Sequence, residues 1–406
     1  MRVGLVVPGS LETSTGGYLY DRRLVEYLSS QGHTVEVVPL PSRSRNCSHP
    51  YRALFPTENE KQNERPLAYV RQLSENRWPR RPSPLARRVA AAEFDVLIED
   101  ELAHPSLIGV NAALRGRACA VVALVHLLHT TDRAASPLAP LYAAVERRYL
   151  ASVDAAVCNS DATQAAADAL LGRPLAGVVA RPGCDHLPPP PLPPLPPPPP
   201  AAAAAPPPPE GSAPLRVLHL ANVVPGKGLL VLLAALARLP RHSWRLTVVG
   251  STTADPAHAR KVRRQLHRLG LPAHVDLVGE VPNTAVPGHL AAAGVLAVPS
   301  SYEAAGIAYL EAMRFGVPVV ATSAGGAGEL MSDGCEGFLV APGDVSALAD
   351  RLDRLRADRD LRTRMGRAAR RRADRHPTWE ETLAPVDALL RSLAARAGMP
   401  DRKATA

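Results

Sequence analysis

Two glutamates, Glu303 and Glu311, stand eight residues apart in the stretch Pro299-Ser300-Ser301-Tyr302-Glu303-Ala304-Ala305-Gly306-Ile307-Ala308-Tyr309-Leu310-Glu311-Ala312. The apolar run before it reads as a buried strand over 294–298, and the run after it as a helix over 306–315. Glu303 then falls in the loop and Glu311 about a turn and a half into the helix. Their spacing corresponds to about 12 Å if helical throughout, comparable to the reach from a sugar across a pyrophosphate to a ribose. Between them lies a helix N-terminus at Gly306 and Ile307, whose free amides suit a phosphate. One carboxylate could hold sugar hydroxyls and the other ribose hydroxyls. For an isolated pair of this spacing, two solvated surface glutamates are the more common outcome.

The surroundings favour the first reading. Gly325, Gly326 and Glu329 follow the next strand, and the glycines permit tight turns and close backbone approach. Upstream, Asn222-Val223-Val224-Pro225-Gly226-Lys227-Gly228 places a lysine in a strand-to-helix loop. It is not a GxxxxGK[ST] phosphate loop. The chain has only four lysines (Lys61, Lys227, Lys261 and Lys403) against 43 arginines, so a lysine kept at this point is a candidate point charge for phosphates.

These residues need a scaffold of alternating strands and helices, and the sequence supplies one. Strands are expected over 2–8, 34–40, 95–99, 119–125, 154–158 and 176–180, with helices over 18–31, 137–150 and 161–171 between them. After an interruption, strands are expected over 215–220, 244–250, 275–278, 295–298 and 318–321. Helices are expected over 228–239, 256–269, 284–293, 306–315, 344–357, 360–375 and 379–396. This is the rhythm of parallel sheets covered on both faces, whose ligands bind beyond the carboxyl ends of the strands. The interruption, residues 187–209, holds 15 prolines and a run of five alanines. Proline lacks an amide hydrogen, so the stretch cannot join a sheet and reads as polyproline II or disordered chain.

At 406 residues the chain is long enough for two domains of roughly 150–200 residues. The division expected is 1–186, a linker at 187–213, 214–376, and a final helix and tail at 377–406. No apolar run reaches the roughly 20 residues of a membrane span, and the first residues read as a strand rather than a signal peptide. Five scattered cysteines, with no CxxC pair, argue against a disulfide framework or a zinc site and fit a cytoplasmic chain. The net charge is +9. Much of the excess lies in Leu361–Arg375, which holds seven arginines. A solvated helix face is the expected reading, with peripheral docking at the inner face of a membrane as the alternative. Nucleic acid is not an expected partner.

The segment from Pro299 to Glu329 resembles the donor-site signature of the family 4 retaining glycosyltransferases, which have the GT-B fold: two Rossmann-like doubly wound domains facing across a cleft. The resemblance extends over most of the chain outside the proline tract and is more specific in the C-terminal half. It implies that Glu303 and Glu311 are the family's E-x7-E pair and that Gly325, Gly326 and Glu329 form its Gly-Gly-x-x-Glu. It also implies that Lys227 acts on the donor diphosphate. Where many members carry an arginine five residues before that lysine, this chain has Asn222, an uncharged amide. Gly16 and Gly17 resemble the glycine loop that borders donor diphosphate and acceptor. His126, at the end of the strand over 119–125, matches a histidine that contacts the donor sugar. His129 reads as structural or acceptor-side. Asn159-Ser160-Asp161-Ala162-Thr163 resembles the family's N-S-x-x-T, with Asp161 expected to cap a helix. Glu99, Asp100 and Glu101 read either as acceptor-side groups, Glu101 foremost, or as a solvated acidic turn.

The implied activity is transfer of a sugar from a nucleotide-diphosphate-sugar donor to a small-molecule, glycan or lipid acceptor, with retention of configuration. The nucleotide sugar is a co-substrate, and neither a cofactor nor a metal is expected. A nucleotide-sugar epimerase or hydrolase on the same fold, or a catalytically weakened binding protein, stays open. A nicotinamide dehydrogenase does not, because neither half carries GxGxxG after its first strand. The last helix is expected to cross back toward the N-terminal domain.

Overall fold

A computed structural model describes residues 1–12, 15–40, 84–132, 134, 136–189 and 213–397. The polyproline reading of the interruption falls almost entirely on residues outside these. The chain forms two compact units, Met1–Pro182 with Glu380–Ala406, and Gly183–Trp379.

The first unit is a six-stranded sheet of β1 (Arg2–Val7), β2 (Thr34–Pro39), β3 (Val96–Asp100), β4 (Ala120–Val125), β5 (Ala155–Cys158) and β6 (Gly177–Val179). Its order is β2-β1-β3-β4-β5-β6, and every neighbouring pair is parallel. β3, β4 and β5 are buried along their whole length. That is why they read as continuous Val, Ile, Leu and Ala runs rather than alternating ones. The core of one face packs Val6, Leu97, Leu107, Val125 and Tyr149 together.

The second unit has β7 (Leu215–Leu220), β8 (Trp244–Val249), β9 (Val275–Gly279), β10 (Val295–Val298), β11 (Val319–Thr322) and β12 (Gly337–Val340). The order is β12-β11-β10-β7-β8-β9, again all parallel. Counted within the unit this is 3-2-1-4-5-6, the order of dinucleotide-binding sheets. The strand sequence reverses between β7 and β10, which pair through Val217–Val295 and Leu218–Leu296. Ligands of such sheets bind beyond the strand ends at that reversal, and the two loops leaving it carry Lys227 and Glu303.

The expected strands are all present, with one strand and the helices Pro84–Ala91 and His104–Leu114 added. β12 was not anticipated, because Gly337–Val340 is only four residues long and follows a turn rather than a recognisable helix. Asp161 is corrected: Ser160, not Asp161, caps helix Asp161–Leu171, its side chain accepting from Thr163 N. Asp161 is the first helical residue and pairs with Arg181.

Candidate active site

In the second unit the loops after β7 and β10 are laced together by backbone. Ser301 N donates to Gly226 O at 2.8 Å. Gly228 has a φ of +70°, and a Cβ there would lie 1.9 Å from Pro299 O. Only glycine fits so close an approach at positive φ. The lacing brings Lys227 Nζ to 2.8 Å from Glu303 Oε2. Ser300 Oγ donates to the same oxygen at 3.1 Å, and Gly306 N to Glu303 Oε1 at 3.4 Å.

The Glu303 backbone is fixed as firmly as its side chain. Glu303 N donates to Ala324 O at 3.1 Å and Gly326 N to Glu303 O at 2.8 Å, forming a parallel bridge between Glu303 and Gly325. A Cβ on Gly325 would lie 2.1 Å from Glu303 O, and its φ is +92°. Gly325 and Gly326 therefore dock the loop after β11 onto Glu303. Helix Ile307–Arg314 starts four residues after Glu303, with Gly306 at its N-cap in the left-handed region. It has no side-chain cap, which leaves its first amides for an anion.

Glu311 lies on that helix with its side chain 13% exposed, and His186 Nε2 is 2.8 Å from its Oε1. Asn222 Oδ1 accepts from Ser251 N at 2.8 Å and ties the loops after β7 and β8 together, while its Nδ2 is the atom that could donate to a phosphate. Glu329 sits in the first turn of the short helix Ala327–Leu330.

In the first unit, Gly16 and Gly17 open helix Gly16–Ser30, capped by Thr15. A Cβ on Gly17 would touch the His126 ring at 3.4 Å. His126, at the end of β4, is held on all sides. Its Nε2 lies 2.9 Å from Asp21 Oδ1, its N donates to Glu101 Oε2 at 2.8 Å, and Asn159 Nδ2 donates to its carbonyl at 2.8 Å. Glu101 Oε1 also accepts from Leu127 N at 3.0 Å. Burial alone would lower the His126 pKa, but the carboxylates of Asp21, Glu101 and Asp100 outweigh it and raise the value to about 10. The imidazole is thus held as imidazolium.

The acidic turn is buried, not solvated: Glu99, Asp100 and Glu101 are each at most 2% exposed. Burial pushes Glu99 up to about 8. Burial, followed by the charges of Glu101 and Asp21, also raises Asp100. Glu101 spends both oxygens on backbone amides of the β4 loop, so it braces His126. His129 is buried beside Glu146, which accepts from His129 N at 2.6 Å and Thr130 N at 3.1 Å. Burial raises Glu146 to about 7. Asn159 in turn accepts from Thr163 Oγ1 at 2.9 Å, so the N-S-x-x-T segment props the end of β4.

Asp21 was not anticipated. Its signal lies in the first helix, where Tyr20, Asp21, Leu24 and Leu28 are the buried residues: a carboxylate stands in an otherwise apolar stripe. Asp21, Asp100 and His126 each offer a ligand atom within 4.8 Å of one another, a grouping that could hold a metal ion. The Asp21–His126 hydrogen bond accounts for its shortest approach without one. His186 also escaped attention, being next to the proline tract.

Residues 20–186 match a family model described as Glycosyltransferase Family 4, and residues 206–372 match one described as Glycosyl transferases group 1. Among curated relatives, a GDP-mannose-dependent alpha-(1-6)-phosphatidylinositol monomannoside mannosyltransferase of Mycobacterium tuberculosis is 32% identical over 184 residues, 43% of this chain and 47% of that protein. A D-inositol 3-phosphate glycosyltransferase of Xylanimonas cellulosilytica is 35% identical over 175 residues, 43% of this chain and 41% of that protein. The matched region thus spans less than half the length of these relatives. Among solved structures, a sucrose-phosphate synthase from Thermosynechococcus elongatus aligns with a TM-score of 0.72 at 20% identity, covering 97% of this chain and 99% of that one. Anabaena Alr3699/HepE in complex with UDP and glucose aligns at 0.69 and 19% identity, covering 97% and 100%. No helix among the described residues is long and apolar enough to cross a membrane.

Proposed function

The chain belongs to the family 4 glycosyltransferases and has their GT-B fold of two parallel-sheet units, and from that premise we propose that it moves a sugar from a nucleoside-diphosphate-sugar donor to a hydroxyl-bearing acceptor with retention of anomeric configuration. The observation that carries the reading is the Lys227–Glu303 pair at the strand-order reversal, beside an uncapped helix start. In the transfer the bond between the anomeric carbon and the diphosphate oxygen breaks, a bond to the acceptor oxygen forms, and the acceptor hydroxyl's proton passes to the departing diphosphate. Negative charge develops on the departing diphosphate. Lys227 and the first amides of helix Ile307–Arg314 stabilise that charge, and preorganised electrostatics of this kind is the largest expected contribution to rate. Once Lys227 turns to phosphate, Glu303 is released to accept from sugar hydroxyls, and Glu311 accepts from the ribose. Gly306, Ile307, Gly325 and Gly326 supply close backbone approach.

In the first unit, His126 is assigned to the donor sugar as a hydrogen-bond donor that is charged at neutral pH. Glu101 is reassigned from a direct acceptor contact to a brace for His126, since backbone amides occupy both its oxygens. His129, buried against Glu146, is read as structural. A lipid or small-molecule polyol acceptor is proposed from the two relatives, whose names specify a phosphatidylinositol mannoside and an inositol phosphate. The arginine-rich helix Arg359–Ala373 is the surface proposed for peripheral membrane contact, which co-sedimentation with anionic vesicles tests. A screen of UDP-, GDP-, ADP- and dTDP-sugars by thermal shift and product mass spectrometry tests the activity. It also separates a transferase from a hydrolase or epimerase by product.

A further inference from the structure

We propose that His186 is a positioning residue for donor binding: it presents the Glu311 carboxylate to the nucleotide ribose. The proposal rests on the assignment of Glu311 to the ribose made above.

His186 lies three residues into the second unit, far in sequence from the helix it serves. Its Nε2 is 2.8 Å from Glu311 Oε1, and the two side chains are 5% and 13% exposed. On the other side of the ring, Trp379 Nε1 donates to His186 Nδ1 at 3.2 Å. An indole N–H can only donate, so Nδ1 is the acceptor and carries no proton. The ring proton is therefore on Nε2 and is given to Glu311. The tautomer follows from the partner, as it does when the second nitrogen of a histidine sets the role of the first.

The supporting frame is rigid. Trp379 N donates to Asp185 Oδ1 at 2.9 Å. A Cβ on Gly183 would lie 2.4 Å from Trp379 N, so the two segments touch backbone to backbone. Arg314 Nε, on the same helix as Glu311, donates to Leu187 O at 3.3 Å. Residues 183–187, Trp379 and helix Ile307–Arg314 thus form one hydrogen-bonded cluster around the Glu311 carboxylate. These contacts leave Glu311 Oε2 without a hydrogen-bond partner among the described residues. A carboxylate offers about four lone-pair sites. With Oε1 tethered, Oε2 is oriented and open for the vicinal hydroxyls of a ribose. A free glutamate would have to give up rotamer freedom to do the same.

The test compares ribonucleoside diphosphates (UDP, GDP and ADP) with their 2′,3′-dideoxy counterparts by calorimetry, for the native chain and for Glu311→Ala, His186→Ala and His186→Gln. The expected result is that the native chain prefers the ribose form of its nucleotide and that Glu311→Ala abolishes the preference. His186→Ala should weaken the ribose form about tenfold, with the dideoxy form within about twofold of native, since loss of one oriented hydrogen bond has that order of effect. His186→Gln, which keeps a donor toward Glu311, should recover most of the loss. If His186→Ala weakens both forms equally, the residue is merely structural and the proposal fails. It fails also if the preference survives in His186→Ala while Glu311→Ala removes it, and in both cases the ribose role of Glu311 stands. If the native chain shows no preference, or Glu311→Ala keeps it, the ribose assignment itself is wrong and the proposal falls with it.

Discussion

Lys227 and Glu303 are 76 residues apart in sequence and 2.8 Å apart in space. Neither side chain is deeply exposed, at 34% and 14%. The pair joins the loops of the two strands between which the sheet order reverses, so the cation proposed for a diphosphate and the carboxylate proposed for a sugar start in contact. Lys227→Ala is expected to lower kcat/KM for the nucleotide sugar by about 10²–10³, the order found when one preorganised charge-stabilising donor is removed. Lys227→Arg should recover only part of it, because a planar fork does not replace a compact ammonium. Steady-state kinetics on the purified variants measures both.

Asp21 is expected to govern the charge of His126. In the native chain, ring-carbon NMR shifts of His126 should show no titration below about pH 9, given a pKa raised to about 10. In Asp21→Asn the titration should move down into the neutral range, because burial then has less carboxylate charge opposing it. Activity of that variant should fall more steeply with rising pH than that of the native enzyme. A His126 that titrates near neutrality in the native chain contradicts the assignment.

The first unit should lose stability as pH rises. Glu99 and Glu146 are raised from 4.5 to about 8 and about 7, and His126 from 6.5 to about 10. In all three the folded state holds its proton more tightly than the unfolded state. Their contribution is complete below the unfolded pKa and is lost as pH rises through the folded one. For the two carboxyl groups this places the loss between about pH 4.5 and pH 8. Differential scanning calorimetry from pH 5 to pH 9 measures it, and Glu99→Gln should flatten the decline.

Gly228 and Gly325 should be irreplaceable for two reasons at once. Each has positive φ and no room for a Cβ, with a carbonyl oxygen at 1.9 Å and 2.1 Å respectively. Either glycine-to-alanine change should cost about 1–3 kcal/mol or more and should loosen donor binding through Glu303. Gly343 has a similar φ of +77° but nothing within 4 Å of a built Cβ. Gly343→Ala should therefore show the conformational cost alone, about 1 kcal/mol. Urea unfolding separates the three.

The sheet architecture was legible because fully buried parallel strands must be apolar along their length, and β3, β4, β5, β10 and β11 obey that rule. The residues proposed for the donor side, Lys227, Glu303, Gly325 and Gly326, could be picked out because they sit in loops after strands. Less visible were the partners that set the electrostatics. Asp21 is hidden inside a helix whose other buried residues are Tyr20, Leu24 and Leu28. Glu99 and Glu101 read equally well as a solvated turn, since local composition does not report burial. His186 and Trp379 are 193 residues apart, and no local pattern links them. Long-range pairing is what a linear reading lacks.

The most direct test of the central claim is release of free nucleotide and formation of a glycosylated product from nucleoside-diphosphate sugars, measured side by side for the native chain, Lys227→Ala and Glu311→Ala. The account predicts that one nucleotide series supports turnover and stabilises the native chain, with both variants impaired. If no nucleotide sugar binds, or if both variants turn over like the native chain, the donor site is not where Lys227, Glu303 and Glu311 stand.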